Sequence, residues 1–246
     1  MIARIVLRLA PCVVVTVAMA GGGAAAAVQS AGTGTIKGHV RLTGTLPGNR
    51  VFRMAADPMC AALNRGKQLV QETVVANLKG DLANVFVKLQ GSFPHTPPPA
   101  TPVTIGQRGC LYSPRVVGVR AGQTLQIRND DALLHNLHSS SAIKDNGFNI
   151  SQPIAGMVNQ FHLKEEADMI RLRCDVHGWM TSFIGVVSHP YFAVSNQLGT
   201  FDIARVPPGS YTIQAWHERY GPITHTVRVK AGATTTVDFA YMEQGR

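Results

Sequence analysis

Apolar and polar residues alternate in short segments along most of the chain. Clear examples are GTIKGHVRLT at 34–43, VVGVRAGQTLQIRN at 116–129 and QETVVANLKGDLANVFVKL at 71–89. A period of two predicts β-strands with one buried face. We expect two strands around the turn Lys79–Asp81, and two more joined by Ala121–Gly122. Because no long heptad or amphipathic helical pattern accompanies them, the sequence predicts an all-β protein.

The C-terminal part continues the pattern with regular turns. GTFDIARVPPGSYTIQAWHERYG and HTVRVKAGATTTVDFAY contain strands of about five residues separated by Pro-Pro-Gly and Ala-Gly turns, a spacing typical of a β-sandwich. The proline-rich segment 93–104 predicts a connector. Adjacent residues of a strand face opposite ways, so we expect His217 and Glu218 to form a solvated strand end and no functional pair.

Composition supports short strands and turns and limits the function classes. Only 15% of the 246 residues are charged, and 24 glycines and 14 prolines supply turns. The formal net charge is +9. The basic residues form no run, which excludes nucleic-acid binding as an expectation. The positive surface is suited either to steering an acidic partner such as a redox protein or simply to solubility, and we favour solubility.

The first thirty residues have the layout of a secretory signal peptide. Arg4 and Arg8 precede an apolar run, which small residues follow. An uncleaved anchor is the alternative, but the run is short for a membrane span. We therefore expect cleavage, export to the periplasm or another extracytoplasmic space, and no stable membrane insertion of the mature chain. Cys12 belongs to the discarded segment.

The segment RCDVHGWM concentrates candidate metal ligands. Cys174, His177 and Met180 follow one another with two-residue gaps, and their donor atoms are those of a copper site that also needs a second histidine. RNDDALLHNLHSS supplies His135, followed by Asn136. Each residue alone has an ordinary explanation, such as core packing for Met180. The combination in an exported β protein predicts a metal site.

A tetrahedral zinc site is the rival. It would use His135, His138, Cys174 and His177. The two histidines of the first segment converge only if the chain curls there, because residues three apart on a strand point to opposite faces. This site would also leave Met180 without a role.

In an exported chain, Cys60 and Cys110 are the natural disulfide if Cys174 binds metal. Two free buried thiols are the alternative. Such a bridge would tie the middle of the chain to its first part.

The chain contains, in this order, a strand, an Asn-Asp-Asp loop, His-Asn and a distant Cys-x2-His-x2-Met. This order resembles the cupredoxins, plastocyanin-like members in particular, over about residues 103–188. The resemblance implies a Greek-key β-barrel or sandwich with one mononuclear type 1 copper. His135, Cys174 and His177 would be its equatorial ligands and Met180 its axial ligand, while Asn136 would tie the two ligand loops together.

The implied function is one-electron transfer between a redox donor and a redox acceptor, not enzymatic catalysis. Electrons would leave through His177 on an exposed loop. Two alternatives stay open: a copper-binding or chaperone protein, and a carbohydrate- or protein-binding sandwich with a structural metal domain.

LGTFDIARVPPGSYTIQAWHERYG resembles the carboxypeptidase regulatory-like β-sandwich, and so do the upstream segments GTIKGHVRLTG and LANVFVKL. The resemblance implies a second, small β-sandwich that is discontinuous in sequence. We therefore predict a signal peptide at 1–30, the two parts of the sandwich at 34–92 and 189–246, and the copper domain at 93–188.

Overall fold

A computed structural model describes residues 32–243, so the predicted signal peptide lies outside the described residues. Almost all regular structure is strand, as the alternating pattern predicts. The strands are β1 Gly34–Thr43, β2 Phe86–Gln90, β3 Val103–Gln107, β4 Tyr112–Ser113, β5 Val116–Arg120, β6 Thr124–Asn129, β7 His135–Ser140, β8 Asn149–Gln152, β9 Val158–His162, β10 Ala167–Arg173, β11 Thr181–Val187, β12 Phe192–Val194, β13 Thr200–Val206, β14 Gly209–His217, β15 Gly221–Val229, β16 Thr234–Thr236 and β17 Phe239–Met242. One short helix, α1 Pro58–Leu63, and two 3-10 turns, Met54–Ala56 and Lys144–Asn146, complete the set.

Two of the four sheets combine strands from both ends of the chain. In one, β1 pairs antiparallel with β13 and parallel with β16 and β17. In the other, the order is β12-β2-β14-β15. Ile36, Val87 and Phe239 belong to one buried cluster of apolar side chains. Strands before residue 92 therefore share sheets and a core with strands after residue 189.

The other two sheets come from the middle of the chain, in the orders β5-β11-β10-β7-β8 and β4-β3-β6-β9. Their shared core includes Ile105, Leu125, Leu172 and Ile184. The predicted strands on either side of Ala121–Gly122 form as β5 and β6, but they lie in different sheets. The turn between them passes the chain from one sheet to the other.

The prediction of two strands around Lys79–Asp81 is half wrong. β2 forms close to the predicted second strand, whereas the first contributes only an isolated bridge between Ala76 and Leu82. The Asn77 side chain accepts hydrogen bonds from the backbone N–H of Lys79 and of Asp81, at 2.9 and 3.1 Å. These bonds stabilise a tight polar loop instead of a ladder.

Glycines allow the two pairs of sheets to contact each other. Gly118 on β5 pairs with Gly185 on β11. A Cβ atom at Gly118 would lie 2.3 Å from the Phe192 ring, and one at Gly185 would lie 2.6 Å from the Phe86 ring. The two aromatic rings thus pack on a surface that has no side chains at these positions.

An ion pair crosses the same boundary. The guanidinium of Arg115 donates to both carboxylate oxygens of Glu218, and both side chains are about nine-tenths buried. The expectation of a solvated charge at Glu218 was wrong. His217 is also buried, with 1% of its surface exposed.

The helix α1 was not predicted. Asp57 caps it, since its carboxylate accepts from the backbone N–H of Met59 at 2.8 Å and of Cys60 at 3.0 Å, and Pro58 occupies the first turn. Cys60 forms the predicted disulfide with Cys110. Both cysteines lie in the core cluster of the middle sheets, so the bridge fastens residues 50–71, here called the cover segment, onto those sheets.

Candidate metal centre

Three strands bring the predicted ligands to one end of a sheet. His135 is the first residue of β7, Cys174 follows β10 directly, and Met180 directly precedes β11. Because β7 and β10 are antiparallel, the start of one lies beside the end of the other. Residues 174–180, here called the ligand loop, connect β10 to β11 across this end.

The donor atoms of three predicted ligands converge. His135 Nδ1 lies 3.0 Å from His177 Nδ1, and Cys174 Sγ lies 3.7 Å from His177 Nδ1. One ligand atom from each residue lies within 4.8 Å of the others. Their side chains are buried, with exposed fractions of 0, 2 and 1% for His135, Cys174 and His177. The structure thus brings together a thiol and two imidazoles in a buried site.

Two aspartates determine which nitrogen each histidine offers. His135 Nε2 lies 2.9 Å from Asp131 Oδ2, and His177 Nε2 lies 3.0 Å from Asp57 Oδ2. An ionised carboxylate only accepts hydrogen bonds, so both Nε2 atoms carry protons and both rings turn Nδ1 toward the centre. Burial opposes a charge on His135, but its hydrogen bonds with Asp131 and Cys174 raise its pKa, which favours a proton on His135 Nδ1 between the donor atoms. A metal ion would take the place of this proton. The residues present therefore fit a metal ion.

The same aspartates are anchored on either side of the disulfide. Asp57 holds the N–H groups of α1, and Asp131 accepts from the backbone N–H of Gly109 and of Cys110, both at 2.8 Å. The bond from Cys60 N–H and that from His177 lower the pKa of Asp57. Burial opposes ionisation of Asp131, but its hydrogen bonds with His135 and Cys110 lower its pKa overall. Both aspartates are thus held as carboxylates.

Cys174 is favoured as a thiolate. Its Sγ accepts from the backbone N–H of Asn136 at 3.4 Å and of His177 at 3.3 Å. Burial alone would raise the pKa of this thiol, but the hydrogen bonds from His135 and these amides lower it. Asn136 Oδ1 also accepts from the backbone N–H of Asp175 at 3.2 Å. Asn136 therefore ties the two ligand segments together, as predicted.

Met180 and His138 occupy different environments. Met180 is fully buried in the same cluster as Cys174, and its N–H donates to the His177 carbonyl at 2.9 Å. Its axial role stays a prediction. His138 is part-exposed, and its Nδ1 lies 2.7 Å from Asp175 Oδ2. Alternation along β7 separates His138 from His135, which argues against the zinc set.

The ligand loop is exposed at Asp175, Val176 and Gly178, as expected, but the side chain of His177 is buried within it. Asp57 of the cover segment closes its Nε2 edge, and Trp179 packs beside it with ring centroids 5.3 Å apart. The Trp179 indole N–H donates to the Cys110 carbonyl at 3.0 Å. Sequence analysis missed both aspartates. The Asp-Pro pair at 57–58 is a helix-cap signal, but nothing local links it to His177, 120 residues away.

Neither α1 nor any other described helix has the length and apolar character required to cross a membrane.

The comparisons with known proteins cover parts of the chain. The model of the carboxypeptidase regulatory-like domain matches residues 186–242. No curated protein matches.

Similar solved structures are copper proteins with low overall similarity. They include a Cu-containing nitrite reductase from Thermus scotoductus (18% identity, TM-score 0.34), covering 36% of this chain and 23% of that one. A purple cupredoxin from Nitrosopumilus maritimus (22% identity, TM-score 0.30) covers 34% of this chain and 98% of its own. An amicyanin mutant (18% identity, TM-score 0.30) covers 35% and 81%.

Proposed function

We propose that this chain is an exported type 1 copper protein that transfers single electrons between redox proteins. The observation that carries the proposal is the set of three buried donor atoms. Cys174 Sγ and the Nδ1 atoms of His135 and His177 converge, and each imidazole is oriented by an aspartate. Copper bound there would supply a one-electron couple, since thiolate and imidazole suit both of its oxidation states.

The protein's own contribution is rigidity. Asp131 and Asp57 each hold a histidine and two backbone N–H groups beside the disulfide, so the nitrogens keep their positions when the charge at the centre changes. The backbone N–H of Asn136 likewise fixes the position of the Cys174 thiol by donating to its Sγ. A centre that does not reorganise suits electron transfer.

Burial favours electron transfer over the alternatives. Because the three ligand side chains are at most 2% exposed, a substrate has no direct access to the donor atoms, and we propose a non-enzymatic role. A copper chaperone must let an acceptor's ligands reach the metal, which the cover segment opposes. The disulfide suits the proposed extracytoplasmic location. We expect redox proteins, and no nucleic acid, as partners.

The test is to add Cu(II) to the purified mature protein and record visible and EPR spectra. We expect an intense thiolate-to-copper band and a narrow copper hyperfine splitting. Both should vanish in Cys174→Ser and persist in the control His138→Gln, which changes a neighbouring imidazole outside the cluster. A wild-type protein without the band, or one that holds zinc tetrahedrally, would contradict the proposal. Ready hand-over of copper to an apo-acceptor without redox cycling would favour the chaperone.

A further inference from the structure

We propose that an open groove beside the ligand loop docks an acidic surface of the redox partner, and that Trp179 carries the electron between the groove and His177. The groove has a volume of about 750 Å³, and Arg50, Phe52, Arg53, Gly178 and Trp179 line it. The inference rests on the proposed function and names the kind of partner and the route.

The route follows from the closure of His177. Its Nδ1 points to the other donors and its Nε2 is bonded to Asp57, so no ring nitrogen reaches solvent. The His177 ring packs beside the Trp179 ring, with centroids 5.3 Å apart and the two planes tilted by 43°. Trp179 is part-exposed and borders the groove. It therefore connects a buried ligand of the centre to the surface.

The charge of the groove determines the partner's chemistry. Arg50 and Arg53 are exposed, and neither guanidinium forms an ion pair within residues 32–243. Five of the eleven other arginines in residues 32–243 form ion pairs with carboxylates: Arg115 with Glu218, Arg108 and Arg128 with Asp130, Arg173 with Asp175 and Arg219 with Glu243.

Among the nearby carboxylates, Asp57 is bonded to His177, and Glu72 lines an adjoining small cavity. Two unpaired guanidinium groups at the edge of an aromatic wall attract carboxylates and orient an incoming acidic surface. The exposed side chain of Val51, with 45% of its surface accessible, gives that surface an apolar contact. From the sequence we favoured solubility as the role of the basic charge. At this groove we assign the charge a docking role instead.

Docking can be tested without metal. The chain contains two tryptophans, so Trp216→Phe leaves Trp179 as its only indole reporter. We would titrate this apoprotein with hexaglutamate and follow the fluorescence. We expect saturable binding that weakens with added salt. In the Trp216→Phe background, Arg50→Glu/Arg53→Glu should weaken binding by about 10-fold or more.

The matched control is Arg228→Glu/Lys230→Glu, which makes the same change in net charge on exposed positions near the end of β15. Equal loss in both double variants would overturn the proposal, because binding would then follow net charge alone. Absence of any fluorescence change on titration would overturn it too.

The route is tested on copper-loaded protein with hexacyanoferrate(III), which takes one electron from Cu(I), giving Cu(II) and hexacyanoferrate(II). Trp179→Leu should lower the second-order rate constant by about 10-fold while the visible band is retained, and Arg50→Glu/Arg53→Glu should lower it at low salt. An unchanged rate in Trp179→Leu would overturn the route. If wild-type protein shows no type 1 spectrum, the proposed function fails, and the apoprotein titration still decides docking.

Discussion

Two carboxylates control the chemistry of two histidines at the residue scale. A neutral imidazole has one donor and one acceptor nitrogen, and the partner of the first determines the location of the second. Asp57 and Asp131 accept from Nε2, so Nδ1 is left for the proposed copper ion. The candidate ligands alone therefore do not define the proposed site, because a histidine in the other tautomer would place a proton where the ion would bind.

Asp57→Asn tests this control. Asparagine caps helices as well as aspartate, so α1 should be retained and the free energy of unfolding should change little. Its amide N–H₂ would face His177 Nε2 and favour the tautomer with a proton on Nδ1. We expect Cu(II) affinity to fall by about 10- to 100-fold, measured by competition with a chelator of known affinity.

The control variant is Asp202→Asn, which alters an aspartate whose side chain is half-exposed in the sandwich. It should bind copper as the wild type does. Wild-type affinity in Asp57→Asn would show that the aspartate does not set the tautomer of His177.

At the scale of elements, contact between β5–β11 and β2–β12 depends on the absence of side chains at two paired positions. Phe86 and Phe192 occupy the space above Gly118 and Gly185. The glycine pair is compatible with strand structure because the rings fill the gap from the opposite sheet, so the cost of glycine in a strand is offset by packing.

Gly118→Ala should destabilise the protein by about 1–3 kcal/mol, since the new methyl group would overlap the Phe192 ring and force it away. Thermal or urea denaturation of the apoprotein measures the change. Gly48→Ala is the matched control, because no atom lies within 4 Å of the added Cβ. Equal stability of the two variants would mean that the rings do not pack tightly on β5.

At the scale of the whole molecule, buried polar groups join the sheets of the middle segment to those of the sandwich. Arg115 and Glu218 pair across the boundary. His217 lies beside them, stacked on Tyr220, and its Nδ1 accepts from the backbone N–H of Arg219 at 3.2 Å. Burial, together with the charges of Arg115 and Arg219, lowers the pKa of His217 to about 4.

This predicts a pH dependence of stability. The unfolded chain protonates His217 near its ordinary pKa of 6.5 and the folded protein only near 4, so the unfolded state binds more protons between these values. The free energy of unfolding should therefore fall as pH drops through this window, by roughly 3 kcal/mol from this group, and level off below it.

Denaturation of the apoprotein between pH 4 and 7 measures the slope, with His217→Asn as the comparison. Asparagine keeps an acceptor for Arg219 N–H and does not titrate, so its slope should be shallower. The difference in unfolding free energy between the two proteins should change by roughly 3 kcal/mol across this window if His217 is responsible. Parallel curves would assign the pH dependence to other groups.

The sequence by itself determined the predominance of strands and the order of the candidate ligands. A period of two, with Gly and Pro turns, is a local property of each strand, and it predicted the all-β architecture. The spacing of Cys174, His177 and Met180 in one loop is also local. It identified candidate ligands, and the structure brings His135, Cys174 and His177 together.

Only the tertiary structure decided how the candidate centre is oriented and covered. The bond between Asp57 and His177 joins residues 120 positions apart. Contacts of this kind leave no periodic or spacing signal, because they depend on how sheets pack and where a short helix is fastened. For the same reason the burial of His177, the Arg115–Glu218 pair and the groove at Trp179 could be established only from the folded chain.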